Sequence, residues 1–128
     1  MRLLLDTHAL IWWMSGEAGL SRAAEAAIRD GDVHVFVSAV SAYEIALKHG
    51  MGRLPKAGLL AERFEAEVDL EGFDILPITA REASHAGRLD HTHRDPFDRL
   101  LIAQGLINNL TLVSNEQVFD SFGVARLW

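Results

Sequence analysis

The chain has no cysteine among its 128 residues, which excludes a disulfide framework, a zinc–thiolate site and a thiol nucleophile. It also lacks an uninterrupted apolar run of the roughly 20 residues that a membrane-spanning helix needs. The opening stretch MRLLLDTHALIWWMSG is apolar but broken by Asp6 and His8, and it predicts neither a membrane helix nor a signal peptide. There is no excess of positive charge. The net charge of −6 argues against a protein that coats nucleic acid through bulk charge. No internal repeat, low-complexity tract or linker is visible. These absences predict a single cytoplasmic globular domain over residues 1–128, with no membrane partner.

The charge is unevenly spread. Glu62, Glu65, Glu67, Asp69, Glu71 and Asp74 stand against Arg63 alone within residues 62–74, which reads as a solvated helix face. From Ile45 to Ala61 there are three bases (Lys48, Arg53, Lys56), His49 and no acid. A phosphate-bearing partner is therefore compatible with the chain, although composition alone does not require one.

The hydrophobic pattern alternates between two periods. Leu3-Leu4-Leu5, Val33 to Val37, Phe73 to Ile78, Leu110 to Val113 and Val124 to Leu127 read as strands. Helices are expected over residues 7–14, from Ser21 to Gly31, 41–49, 59–70, from Thr79 to about Leu89, and from Asp95-Pro96 to about Ile107, with a short one over 116–122. Leu60, Phe64 and Val68 recur four apart and mark the buried face of the 59–70 helix. Gly50, Gly52, Pro55 and Gly58 mark a loop, and residues 90–94 a polar one. This alternation predicts an α/β fold: a mostly parallel central sheet flanked by helices on both faces.

Five acids share a context. Asp6 ends the first strand, Glu44 lies in the first turns after the second, and Glu116 follows the 110–113 strand. Asp95 and Asp98 open the helix before that strand. In open parallel sheets ligands bind outside the carboxyl ends of the strands, where Asp6, Glu44 and Glu116 fall. Each acid also has a capping role open to it. Asp6 and Asp95 suit helix N-caps, Ser41-x-x-Glu44 matches a capping box, Asp98 could partner Asp95, and Glu116 suits a helix start. Together they point further, because an acid-only cluster repels itself. Oxygen ligands without cysteine suit Mg²⁺ or Mn²⁺, and that chemistry leads to metal-assisted attack of water on a phosphodiester.

LLLDTHALIWW, SAVSAYEIALKHGMGRL, HRDPFDRLLIAQ and TLVSNEQVFDSFGVARLW, in this order and spacing, resemble the PIN-domain ribonucleases, and within them the VapC-type toxins of bacterial toxin–antitoxin pairs. The resemblance spans nearly the whole chain and implies a PIN-like three-layer sandwich. It further implies a Mg²⁺- or Mn²⁺-dependent endoribonuclease with Asp6, Glu44 and Asp98 as metal ligands and Asp95 and Glu116 orienting water or a second ion. Glu116 stands where the family often has Asp. Thr7, Ser114 and Asn115 resemble polar residues that hydrogen-bond the carboxylates or substrate. Arg99, Arg94, Lys48 and Arg53 are candidates for holding the RNA phosphates. The implied partners are an RNA substrate, a cognate antitoxin whose tail lies in an apolar groove, and a second copy in a homodimer. Trp12, Trp13 and Met14 are read as core, with such a groove as the alternative.

Three other readings compete. His91, His93 and Asp95, with His85 nearby, could bind zinc or iron. Asp6 could be a phosphoryl-transfer nucleophile, but His8 occupies the place where that pattern wants a second acid. The chain could also be a catalytically weak or inactive PIN-fold module that only pairs with an antitoxin.

Overall fold

Each strand of the first parallel pair sends alternate side chains to opposite faces, and the leucine run at the start shows the consequence. In the computed structural model, which describes residues 1–128, β1 (Arg2–Leu5) lies at the centre of a five-stranded sheet. Leu3 and Leu5 enter one core with Val35, Val37 and Val113, while Leu4 enters the other with Leu112. All three leucines are fully buried, each worth about 2 kcal/mol relative to an exposed side chain. The order is β3-β2-β1-β4-β5, with every neighbouring pair parallel. The other strands are β2 (His34–Ser38), β3 (Asp74–Leu76), β4 (Thr111–Val113) and β5 (Arg126–Leu127). The expected α/β architecture is the observed one.

Six α-helices cover the sheet: α1 (Thr7–Ser15), α2 (Arg22–Arg29), α3 (Ala39–Gly50), α4 (Gly58–Leu70), α5 (Ala80–Arg88) and α6 (Pro96–Asn108). Two 3₁₀ segments, Pro55–Ala57 and Gln117–Phe122, complete the chain. Ala9, Leu10, Ala24, Ile28, Ile45, Leu60 and Val68 bring α1 to α4 into the core on one face. Leu101 and Ile102 of α6 close the other, with Phe119. Gly105 lets α6 approach closely: a Cβ there would lie 2.7 Å from Cγ2 of Val124. Helix α5 packs beside α6, where Glu82 accepts from Gln104 (3.1 Å) and Asn108 (2.8 Å).

Three expectations shift. The third helix begins at Ala39, capped by Ser38, whose Oγ accepts from the Val40 N–H at 3.0 Å. The Ser41-x-x-Glu44 capping box is therefore not formed, because the serine at the strand end caps first and carries residues 41 and 44 into the helix body. The expected 73–78 strand shortens to Asp74–Leu76, since Pro77 has no N–H for a ladder. Helix α4 is interrupted at Arg63 (φ −136°, ψ 45°), yet Leu60 and Val68 are buried as the spacing predicts. Trp12 and Trp13 are half-buried and tied inward. Trp12 meets Trp128 at 5.8 Å, and Trp13 packs near Phe73 and donates to Glu71 at 2.8 Å.

Candidate active site

The register of the sheet builds the site. Leu5 stands opposite both Val37 and Val113, so Asp6, Ser38 and Ser114 emerge together at the carboxyl edge, and all three are buried. Strand order changes direction between β1 and β4, the switch point at which open α/β sheets leave a crevice. Asp6 comes from one side of it and Glu116 from the other.

Asp6 caps α1, its Oδ1 accepting from the Ala9 N–H at 2.8 Å. Capping favours the charged carboxylate, but burial opposes it. Desolvation pushes its pKa from the ordinary 3.8 to about 6, against the Ser114 hydroxyl, the Ala9 N–H and His8, while the negative charge of Glu116 adds to the rise. Asp98 is in the same state. Burial raises its pKa from 3.8 to about 6, a hydrogen bond from His93 opposes this, and the charges of Asp95 and Glu116 reinforce it. His93 Nε2 lies 2.8 Å from Asp98 Oδ2. Glu116 thus acts on both aspartates, and three chain segments form one electrostatic cluster. Glu116 is exposed, and its own N–H donates to Ser114 Oγ at 3.0 Å.

Asp95 serves mainly as the cap of α6, accepting from the Phe97 and Asp98 N–H groups at 2.9 and 3.2 Å. Its other contribution is charge beside Asp98. Glu44 is buried in α3 but engaged: Thr7 Oγ1 donates to its Oε1 at 2.7 Å, and Lys48, one turn on, pairs with its Oε2. Thr7 also lies 3.0 Å from the Ser41 hydroxyl. Thr7 and Ser114 therefore do bond carboxylates, as expected, whereas Asn115 is exposed.

The four bases part company. Lys48 is half-buried, with its ammonium 5.5 Å from the Phe97 ring centroid. This carries it from α3 to the start of α6. Arg94 and Arg53 are exposed and make no side-chain hydrogen bond or ion pair. Arg99 is buried, and its guanidinium donates to the carbonyls of Asp90, His93, Ala86 and Leu89 at 2.7–2.8 Å. Its donors hold the α5–α6 loop rather than standing free for a phosphate, which corrects the sequence expectation. Sequence reasoning took Ser41 for a cap and missed its contact with Thr7, and it missed the His93–Asp98 bond. The Glu44–Lys48 pair was open to it as an i, i+4 spacing.

The donor set is chemically suited to a hard divalent ion, being oxygen-only and self-repelling. The buried Asp6 and the half-buried Asp98, whose charged forms are disfavoured, would gain most from a cation. As placed, however, no three His, Asp or Glu side chains converge tightly enough to form a finished coordination sphere. Glu44 has Lys48 as its cation. His93 is bonded to Asp98 rather than grouped with His91 and Asp95.

The fold is similar to that of VapBC2 from Rickettsia felis bound to a DNA fragment from its promoter, at 16% identity and a TM-score of 0.71, covering 100% of this chain and 99% of that one. It is also similar to FitAcB from Neisseria gonorrhoeae, at 22% identity and a TM-score of 0.67, covering 98% and 96%. A third, VapBC-1 from nontypeable Haemophilus influenzae, gives 13% identity and a TM-score of 0.65 over 99% and 97%. No curated protein sequence matches the chain significantly. The family model of the PIN domain matches residues 3–124, a span that includes Asp6, Glu44, Asp95, Asp98 and Glu116, and the chain belongs to the PIN domain family.

Proposed function

We propose that the protein is a metal-dependent endoribonuclease of the VapC type, the toxin of a cytoplasmic toxin–antitoxin pair. The observation that carries this reading is the sheet register: Leu5 pairs with Val113, so Asp6 and the turn leading to Glu116 leave the carboxyl edge side by side at the β1/β4 crevice, where the charge of Glu116 bears on both Asp6 and Asp98. A fold needs caps at Asp6 and Asp95. It does not need a third carboxylate, Glu116, whose charge disfavours ionisation of both Asp6 and Asp98. Kinship in fold to the VapBC and FitAcB structures supports a small protein antitoxin as partner.

Asp6, Glu44 and Asp98 would hold a Mg²⁺ or Mn²⁺ ion, Glu44 in exchange for its Lys48 partner. When bound, such an ion lowers the pKa of a water and offsets charge growing on the phosphate. The chain's own groups prepare for this. Ser114 and the Ala9 N–H fix one aspartate, His93 orients the other, and Thr7 fixes Glu44. Asp95 sets the start of α6, and Glu116, which is exposed, would orient a water.

The engagement of Glu44 by Lys48 favours a second reading, a PIN-fold module that pairs with an antitoxin and cleaves nothing. One experiment decides between them. Antitoxin-free protein is incubated with RNA in Mg²⁺ or Mn²⁺, and the new RNA ends are sequenced, with Asp6→Asn as control. Cleavage by the wild type alone supports the nuclease. Cleavage by neither protein supports the module, and equal cleavage by both removes Asp6 from the mechanism.

A further inference from the structure

Beside the acidic crevice lies a feature of opposite sign. A cavity of about 250 Å³ is lined by His91, His93, Arg94 and Arg99, with no apolar or acidic side chain in its wall. Arg99 is buried there, and no carboxylate comes within ion-pairing distance of it. The five carbonyls around its guanidinium, Gly87 among them at 3.4 Å, satisfy N–H groups but do not cancel its charge. The exposed Asp90 carboxylate feels this charge at longer range, but a buried cation without a close counter-ion is costly, and an anion in the cavity would relieve it.

The same contacts make the loop rigid. Arg99 gathers the carbonyls of residues 86, 89, 90 and 93, and Asp90 Oδ1 accepts from the Thr92 N–H at 2.9 Å. The backbone that carries His91 and Arg94 is thus fixed before any ligand arrives. Both side chains are exposed, and Arg94 has no partner. His93 joins the cavity to the crevice through its bond to Asp98.

We propose that this cavity is a subsite for a backbone phosphate of single-stranded RNA, one that flanks the phosphate presented to Asp6, Asp98 and Glu116. The proposal rests on the nuclease reading for its substrate and on the cavity for its chemistry. A polyanion approaching a rim of carboxylates is repelled, and a preformed positive wall next to that rim offsets the repulsion and sets where the strand lies. Arg94 supplies a planar fork suited to phosphate oxygens, His91 adds a second donor, and Arg99 contributes charge.

The test measures binding without cleavage. Fluorescein-labelled single-stranded RNA is titrated with protein in EDTA, by anisotropy, over a series of KCl concentrations. Arg94→Gln is expected to weaken binding roughly fivefold at ~0.1 M salt and to reduce the slope of log K against log[salt] by about 0.7, the value for one phosphate contact on a single strand. Arg94→Lys keeps the slope. Arg81→Gln, at the opposite end of α5, leaves affinity and slope unchanged. Arg94 has no side-chain contact to lose, so matched melting curves will show that the variant folds. Wild-type affinity and slope in Arg94→Gln overturn the subsite. So does calorimetric binding of inorganic phosphate that depends on Arg94 while RNA binding does not, since the cavity would then hold a free anion. Arg94-dependent RNA binding without cleavage in Mg²⁺ or Mn²⁺ leaves the subsite standing and removes the nuclease. Cleavage with no role for Arg94 does the reverse.

Discussion

Neutralising Asp6 should make the metal-free protein more stable. Asp6→Asn keeps the acceptor that caps α1, because asparagine is as good an N-cap as aspartate, so the Ala9 N–H stays satisfied. What it removes is a buried charge. A carboxyl raised from 3.8 to about 6 binds protons more tightly folded than unfolded, so stability falls as pH climbs from about 4 through 6 and levels off above 7. Fully ionised, it costs about 3 kcal/mol. With an unfolding entropy of ~2.1 cal/mol/K per residue, a gain of about 2–3 kcal/mol raises Tm by roughly 7–11 °C at pH 8 in EDTA. The gain should shrink to about half by pH 5, where wild-type Asp6 is largely protonated. Millimolar Mg²⁺ should then raise the wild-type Tm and leave the variant unmoved. Differential scanning calorimetry at the two pH values reads both effects. A variant no more stable than wild type at pH 8, or one whose advantage ignores pH, would refute the argument that Asp6 carries an uncompensated charge.

Four further outcomes follow from the same geometry. Lys48→Met leaves Glu44 without its cation and should destabilise the metal-free protein by about 2 kcal/mol at pH 8, with recovery in Mn²⁺, read by urea titration. Arg99→Gln loses the clamp on the α5–α6 loop and should cost about 2–4 kcal/mol, seen as a lower urea midpoint at unchanged slope. Gly105→Ala sets a methyl against Val124 and should cost about 1–3 kcal/mol, since both residues are buried. Ser38→Ala removes the cap of α3 and should cost about 1 kcal/mol, whereas the same change at a serine that only looks like a cap in sequence would act through Thr7 instead.

That last contrast marks what sequence could and could not reveal. The order of strands and helices was legible because each reports a local period, and the leucine run read as a strand for being apolar throughout, while its central place in the sheet came only with the structure. That Asp6, Glu44 and Glu116 follow strands, and so fall towards the carboxyl edge, was legible from topology, whereas the place of Ser38 there was not. Which serine caps α3 depends on where β2 stops, a matter of pairing with β1 and β3 that no local pattern encodes. Arg99 illustrates the larger gap. A base one residue from a candidate ligand reads as a phosphate contact, yet its partners are carbonyls 6 to 13 residues earlier, brought round only when α5 packs against α6. His93 was read with His91 because they are two apart, but the loop turns His93 to Asp98.

The two charge zones explain each other. An acidic crevice by itself destabilises the fold and repels a nucleic acid strand; a basic loop by itself would bind polyanions without acting on them. Here the helix start that holds Asp95 and Asp98 is fixed by the residue that makes the neighbouring cavity positive, since Arg99 follows Asp98 directly and anchors the loop leading into α6. A change at Arg99 must therefore move both zones together, whereas a change at Arg94 moves one. Loss of RNA affinity in Arg94→Gln at unchanged Tm, beside loss of both in Arg99→Gln, is the pattern this coupling requires. Equal Tm values for the two variants would mean that the loop and the crevice are independent.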